Sequence, residues 1–196
     1  MLNKEPVIPD AEGVYRVLEL AKGTMWHTLF TFIAYTGCRK SEALGLRWQD
    51  VDLDKGKVSI VQTSHRVLGK GIITQPPKSA KGRRAIALDP ETVAVLRAHR
   101  TKQLEERLRL GEIYEDNGLV LPGTFGVPLN PEAASRAFRR LADKAGLQGV
   151  RLHDLRHFHA TALLKAGVHP KVVQERLGHA TISVTLDTYS HVLPGL

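Results

Sequence analysis

The sequence predicts a mainly helical α+β domain with a small three-stranded antiparallel sheet inserted early, and three observations carry that prediction. Helical periodicity bracketed by capping residues fills the stretches before Val51 and after Leu88. Between them the pattern changes to short runs rich in β-branched residues, broken by Lys-Gly and Gly-Lys-Gly turns. No repeat, low-complexity tract or flexible linker divides the chain, so its 196 residues, 42% hydrophobic, read as one domain with a full core.

Taken in order, Asp10 can cap a helix whose Val14, Val17, Leu18 and Ala21 share one face, with Gly23 closing it. "TMWHTLFTFIAYTG" is apolar nearly all round, which predicts a central helix ending on a left-handed Gly37. "RKSEALGLRWQDV" restarts as a short helix with Leu44 on one face. "VDLDKGKVSIVQTSHRV" and "GIITQPPKSAKGRRAIAL" form the sheet. Asp89-Pro90 starts a long charged helix that ends near Gly111, and Asn130-Pro131 repeats the device for "PEAASRAFRRLADKAG". The last third holds "HDLRHFHATALLKAG", "HPKVVQERLG" and "TISVTLDTYSHV", separated by Gly and Pro signals.

Composition narrows the partner. Lys+Arg 28 against Asp+Glu 20 gives a net charge of +8, which favours a polyanion such as nucleic acid. The basic residues gather in "KSAKGRR", "RAFRRLADK" and "RLHDLRH", each of which taken singly is an ordinary solvated face. One cysteine, Cys38, excludes an internal disulfide. The absence of a membrane-length apolar run or a signal-peptide core in "MLNKEPVIPD" leads to the expectation of a cytoplasmic protein.

Five short stretches can carry chemistry. In "TGCRKSE", Arg39 follows a helix terminator and opens the next helix, where backbone N–H groups favour a phosphate. Glu42, three residues on, orients that arginine or simply pairs with it, and Cys38 reads as a small core residue. In "HDLRH", His153 and Arg156 share a helix face and can meet at one anion. His157 lies one turn beyond His153. A zinc reading of that pair lacks the glutamate of metalloproteases and sets Arg156 against a dication, so ordinary surface histidines compete with it. Lys78 sits at the base of a hairpin with a basic tip, where a lone lysine is ordinarily solvent-facing. His179 follows the helix-ending Gly178 and can equally be a cap, and Tyr189 in the last helix can equally be a buried aromatic.

The order of these pieces, Arg39 in "TGCRKSE", Lys78 in a hairpin, "HDLRH", "LGH" and "TYSH", resembles the catalytic domain of the tyrosine recombinase (phage integrase) family from about Pro9 to Val192. The resemblance implies that Arg39 and Arg156 clamp a phosphate and that Lys78 is the hairpin lysine, with Lys81 as the alternative assignment. It implies His153 and His179 as the two active-site histidines, Tyr189 as the nucleophile and Glu42 as the acidic support of Arg39. The implied partner is double-stranded DNA, with tetramer assembly on DNA in a full-length protein, inside a bacterial or phage-infected cell. No metal or cofactor is implied. The family's N-terminal core-binding domain has no counterpart here, so residues 1–196 are expected to be the catalytic domain alone. A topoisomerase of type IB and an inactive DNA-binding module are the alternatives.

The implied chemistry suits the residue types. A phenol with a pKa of about 10 attacks a phosphodiester only with help in losing its proton, and on the resemblance His153 assists there. Two guanidiniums offer permanent, forked donors to the non-bridging oxygens, where charge accumulates. Lys78 would protonate the leaving 5′ oxygen, His179 would donate to the phosphate, and the resulting 3′-phosphotyrosyl ester keeps the bond energy for rejoining.

Overall fold

The computed structural model describes residues 8–77 and 79–189. Helix α1 (Ala11–Ala21) begins where the Asp10 carboxylate accepts the Gly13 N–H at 2.6 Å, and it buries the Val14, Val17, Leu18 and Ala21 stripe. Helix α2 (Met25–Thr36) is buried along most of its length and packs against α1 and the later helices, as its unbroken apolarity requires. It stops at Gly37, whose φ of 66° is left-handed. A Cβ there would also lie 2.6 Å from the His159 ring, so the position excludes any side chain on two counts. Helix α3 (Lys40–Leu44) is a turn and a half, tied off by its own Glu42.

The strand region departs from the single sheet expected from the sequence. Strands β1 (Val51–Asp52), β2 (Lys57–Ile60) and β5 (Arg84–Ala87) form a three-stranded antiparallel sheet in the order β1-β2-β5. Strands β3 (Thr63–Val67) and β4 (Gly71–Gln75) pair only with each other. The cause is a close approach at Gly45, where an added Cβ would touch the Thr63 and Ser64 backbone at 3.0 Å. Gln62 Nε2 also donates to the Gly45 carbonyl at 2.7 Å. Those contacts hold β3 against α3, so the chain leaves the first sheet after Ile60 and returns to it only at Arg84. Val58 and Ile86, opposite one another in that sheet, are both inside the core.

Helix α4 (Pro90–Leu110) starts with Asp89 accepting from the Thr92 backbone at 2.9 Å and lies on the outside, with only Thr92 and Leu96 buried. Helix α5 (Pro131–Lys144) is capped by Asn130 and turns Ala134, Phe138 and Leu141 inward while Arg136, Arg139 and Arg140 face solvent. Phe138 meets Phe30 of α2 edge to face at 5.1 Å, the aromatic centre of the main core. Helices α6 (Asp154–Lys165), α7 (Pro170–Leu177) and α8 (Ile182–Tyr189) close the fold around a smaller apolar cluster of Ala160, Leu164, Val173, Leu177 and Tyr189. Among the described residues, no helix is long and apolar enough to cross a membrane.

Candidate active site

Two helices end at the same place. Helix α2 stops at Gly37 and α7 at Gly178, both in left-handed conformation with φ of 66° and 69°. A helix C-terminus presents carbonyls carrying partial negative charge. Arg156, in the first turn of α6, reaches between the two: Nη1 donates to the Gly37 carbonyl at 2.7 Å and Nη2 to the Leu177 carbonyl at 2.9 Å. Burial, and then the nearby Arg39, pull its pKa down to about 10, which still leaves it charged at neutral pH. A second guanidinium, Arg39, sits at the start of α3 and is 41% exposed.

Glu42 fixes Arg39. Its carboxylate, 1% exposed, accepts the Arg39 backbone N–H at 2.8 Å and Nη1 at 2.9 Å. It also accepts two bonds from Arg84 of β5, at 3.0 and 2.8 Å. Burial is the largest influence on this carboxyl and would raise its pKa, but hydrogen bonds and charge from Arg84, then Arg39, outweigh it and hold it below the usual range. Arg84 Nε donates in turn to the Arg176 carbonyl of α7 at 2.6 Å, so one side chain joins α3, β5 and α7. The sequence argument for a phosphate site at the helix start is weakened here, because α3 has only five residues and Glu42 takes the first N–H.

The histidines and the tyrosine meet beside Arg156. His153 is the N-cap of α6, and burial, then His157 and Arg156, push its pKa down to about 4. Its ring meets that of His157 edge-on at 5.2 Å. The hydroxyl of Tyr189, a fully buried residue, lies 2.9 Å from His157 Nδ1. Burial raises the phenol to about 12, with Arg156 acting in the opposite sense. His179 follows Gly178 and places Nδ1 2.8 Å from the buried Thr185 hydroxyl. Burial, then Arg156 and the other arginines, lower it to about 3. His153 and His179 are therefore neutral at neutral pH, and burial lowers His157 as well. A 580 Å³ groove lined by Lys40, Arg136, Arg139 and Arg151 opens beside His153.

The phage integrase family matches this chain over residues 10–195. The chain belongs to that family. A tyrosine recombinase XerC-like protein of Caldanaerobacter subterraneus subsp. tengcongensis is 31% identical, with 93% of this chain aligned to 50% of that protein. An integrase of Streptomyces ambofaciens is 32% identical over 88% of this chain and 46% of its own length. The chain thus spans about half the length of the curated relatives it matches. The crystal structure of XerA recombinase superposes with a TM-score of 0.74 at 27% identity, covering 97% of this chain and 60% of that one. The Tn1549 transposon integrase, solved in complex with transposon right end DNA, gives a TM-score of 0.81 at 21% identity over 96% of this chain and 62% of its own, a likeness of fold.

Within this family member, the structure brings Arg39, Glu42, His153, Arg156, His179 and Tyr189 to one face of the α2 and α7 C-termini. Lys78 lies outside the described residues. The alternative, Lys81, is on a 3₁₀ turn ahead of β5 and donates from Nζ to the Ala180 carbonyl at 2.5 Å, next to His179. The hydroxyl of Tyr189 has His157 as its hydrogen-bond partner, while His153, to which the resemblance gave help with that proton, stands beside the His157 ring. Two side chains of this cluster escaped the sequence reading. Arg84 was visible only as part of a basic run, and His157 only as a surface histidine or zinc candidate; their partners lie 42 and 32 residues away. Among the described residues there is no group of three or more His, Cys, Asp or Glu arranged to hold a metal. Burial pushes the Cys38 thiol up to about 12, which leaves it inert.

Proposed function

We propose that this chain is the catalytic domain of a site-specific DNA recombinase, cleaving and rejoining double-stranded DNA through a 3′-phosphotyrosyl link on Tyr189. The observation that carries this reading is the Tyr189 hydroxyl held by a neutral histidine beside Arg156, whose guanidinium is fixed by two helix ends. With Nη1 and Nη2 each spending one N–H on a carbonyl, Arg156 keeps further N–H donors for a phosphate oxygen. Arg39, braced by Glu42, supplies the opposing fork. If the Thr185 hydroxyl donates to Nδ1, His179 carries its proton on Nε2 and is a neutral donor to the phosphate. His153 stands within the same cluster, and Lys78 is proposed as the acid for the 5′ leaving oxygen.

The buried tyrosine sets a condition: bound DNA must open the cover over the hydroxyl before attack. The groove of Lys40, Arg136, Arg139 and Arg151 is the proposed path of the DNA backbone away from the reacting phosphate. Grip on a specific site and assembly into a tetramer on DNA are proposed to need the parts present in the longer relatives. The site of action is then the chromosome of a bacterial or phage-infected cell.

The test is covalent capture. A library of nicked duplexes, from which the short 5′-hydroxyl fragment diffuses after cleavage, traps the ester. The expected result is a protein-linked strand on a denaturing gel, absent for Tyr189→Phe, with DNA affinity essentially unchanged. No adduct from the wild-type chain, or an equal one from Tyr189→Phe, contradicts the reading.

A further inference from the structure

We propose that His157 is the group that takes the proton from Tyr189 during attack, an assignment that rests on the DNA-cleaving reading above. His157 Nδ1 lies 2.9 Å from the phenol oxygen, with ring centroids 5.7 Å apart. Among the described residues no other side chain hydrogen-bonds that oxygen; the Tyr189 ring packs with the apolar Ala160, Leu164, Val173 and Leu177, and the Arg156 charge acts on its hydroxyl. Geometry comes first for a proton acceptor, and this is the one group within reach. His153 meets the His157 ring edge to face, with centroids 5.2 Å apart, and makes no hydrogen bond to the Tyr189 oxygen.

The electrostatic setting keeps His157 an acceptor. Facing it are His153, Asp154, Arg156 and Arg151 from α6 and its approach, Tyr189 from α8, and His179 from the loop before α8. Burial first, opposed by Asp154 and reinforced by the arginines, lowers its pKa below the ordinary histidine value. The neutral ring then presents a lone pair on Nδ1 with its proton on Nε2. Because His157 is the residue after Arg156, one helical turn places both the phosphate clamp and the proton acceptor.

In the step itself, the Tyr189 Oη–P bond forms, the phenol proton passes to Nδ1, and the P–O5′ bond breaks as the general acid protonates the leaving oxygen. Rejoining reverses it: the 5′-hydroxyl attacks, the Tyr189 oxygen leaves, and the His157 imidazolium returns the proton. The negative phosphate offsets the second positive charge beside Arg156.

Single-turnover cleavage of the nicked library by His157→Gln and His157→Ala, from about pH 5.5 to 9.5, tests the assignment. Gln keeps a hydrogen-bond acceptor but cannot take a proton. Both variants should cleave about a hundredfold more slowly, and their rates should keep climbing with pH where the wild type levels off. Imidazole in the buffer should restore part of the His157→Ala rate. A 5′-bridging phosphorothiolate, which relieves a missing acid, should not restore either variant. His157→Gln cleaving at the wild-type rate and with the wild-type pH profile overturns the assignment alone, whereas no adduct from wild type overturns the recombinase reading. Should a variant unfold, ¹⁵N chemical shifts of the wild-type ring decide: protonation on Nδ1 at neutral pH contradicts the proposal, and protonation on Nε2 is the expected result.

Discussion

The two halves of the candidate site are built on opposite principles. In the half around Arg39 and Arg156, the buried charges are matched: Glu42 by two arginines, Arg84 by Glu42 and the Arg176 carbonyl, Arg156 by two helix-end carbonyls. Around Tyr189 the packing is mainly apolar, with the ring held by a small side cluster of α6, α7 and α8 and the hydroxyl by one hydrogen bond to His157. A cradle whose charges are fixed before substrate arrives needs little reorganisation to meet a phosphorane, the condition under which electrostatic stabilisation is largest. On the proposed function, a tyrosine covered in this way is kept from stray phosphates until DNA opens the site.

The strongest way to break the comparison is Arg84→Met. It leaves the Glu42 carboxylate, 1% exposed, with Arg39 alone, and breaking such a buried pair costs about 3–5 kcal/mol. Tyr189→Phe keeps the ring and should cost about 0.5–1.5 kcal/mol. Urea unfolding of both variants checks this, and equal losses would erase the distinction. Next comes Arg156→Lys, because a point charge cannot span the Gly37 and Leu177 carbonyls and still offer a fork. Single-turnover cleavage should fall about 10²–10³-fold, the usual loss for one transition-state donor, with DNA affinity much less affected.

A smaller effect comes from the buried histidines around both halves. Burial lowers His153 and His159 to about 4 and His179 to about 3, so the folded chain binds fewer protons than the unfolded one below pH 6.5. Their contribution to stability is therefore present above that value and lost as pH falls toward about 4. The melting temperature should decline across that window, and less steeply for His179→Asn. The smallest expected effect is Arg136→Ala in the groove, which should lower the slope of log affinity against log salt by about 0.9 and leave the cleavage rate of bound DNA alone. A changed rate with an unchanged slope would move Arg136 out of the DNA path.

What could be read from the sequence was local. Asp10, Asp89-Pro90 and Asn130-Pro131 start helices because a cap bonds an N–H two or three residues away, and Gly37 and Gly178 end them on a left-handed φ that glycine itself announces. The split of the strands into two sheets depends on the approach of Gly45 to Thr63, which no periodicity encodes. The same holds for the site. Glu42 supporting Arg39 is a three-residue contact and was legible, whereas Arg84 on Glu42 and His157 on Tyr189 are distant pairings that arise only when α6, α8 and β5 are in place.

The most direct test of the account is to locate the covalent bond. After capture on nicked DNA, nuclease trimming and trypsin should release residues 177–196, a fragment in which Tyr189 is the only tyrosine, carrying a nucleotide 3′-phosphate on that side chain. Fragmentation spectra that place the nucleotide on Tyr189 are the predicted result. A nucleotide on any other residue of the chain would contradict it.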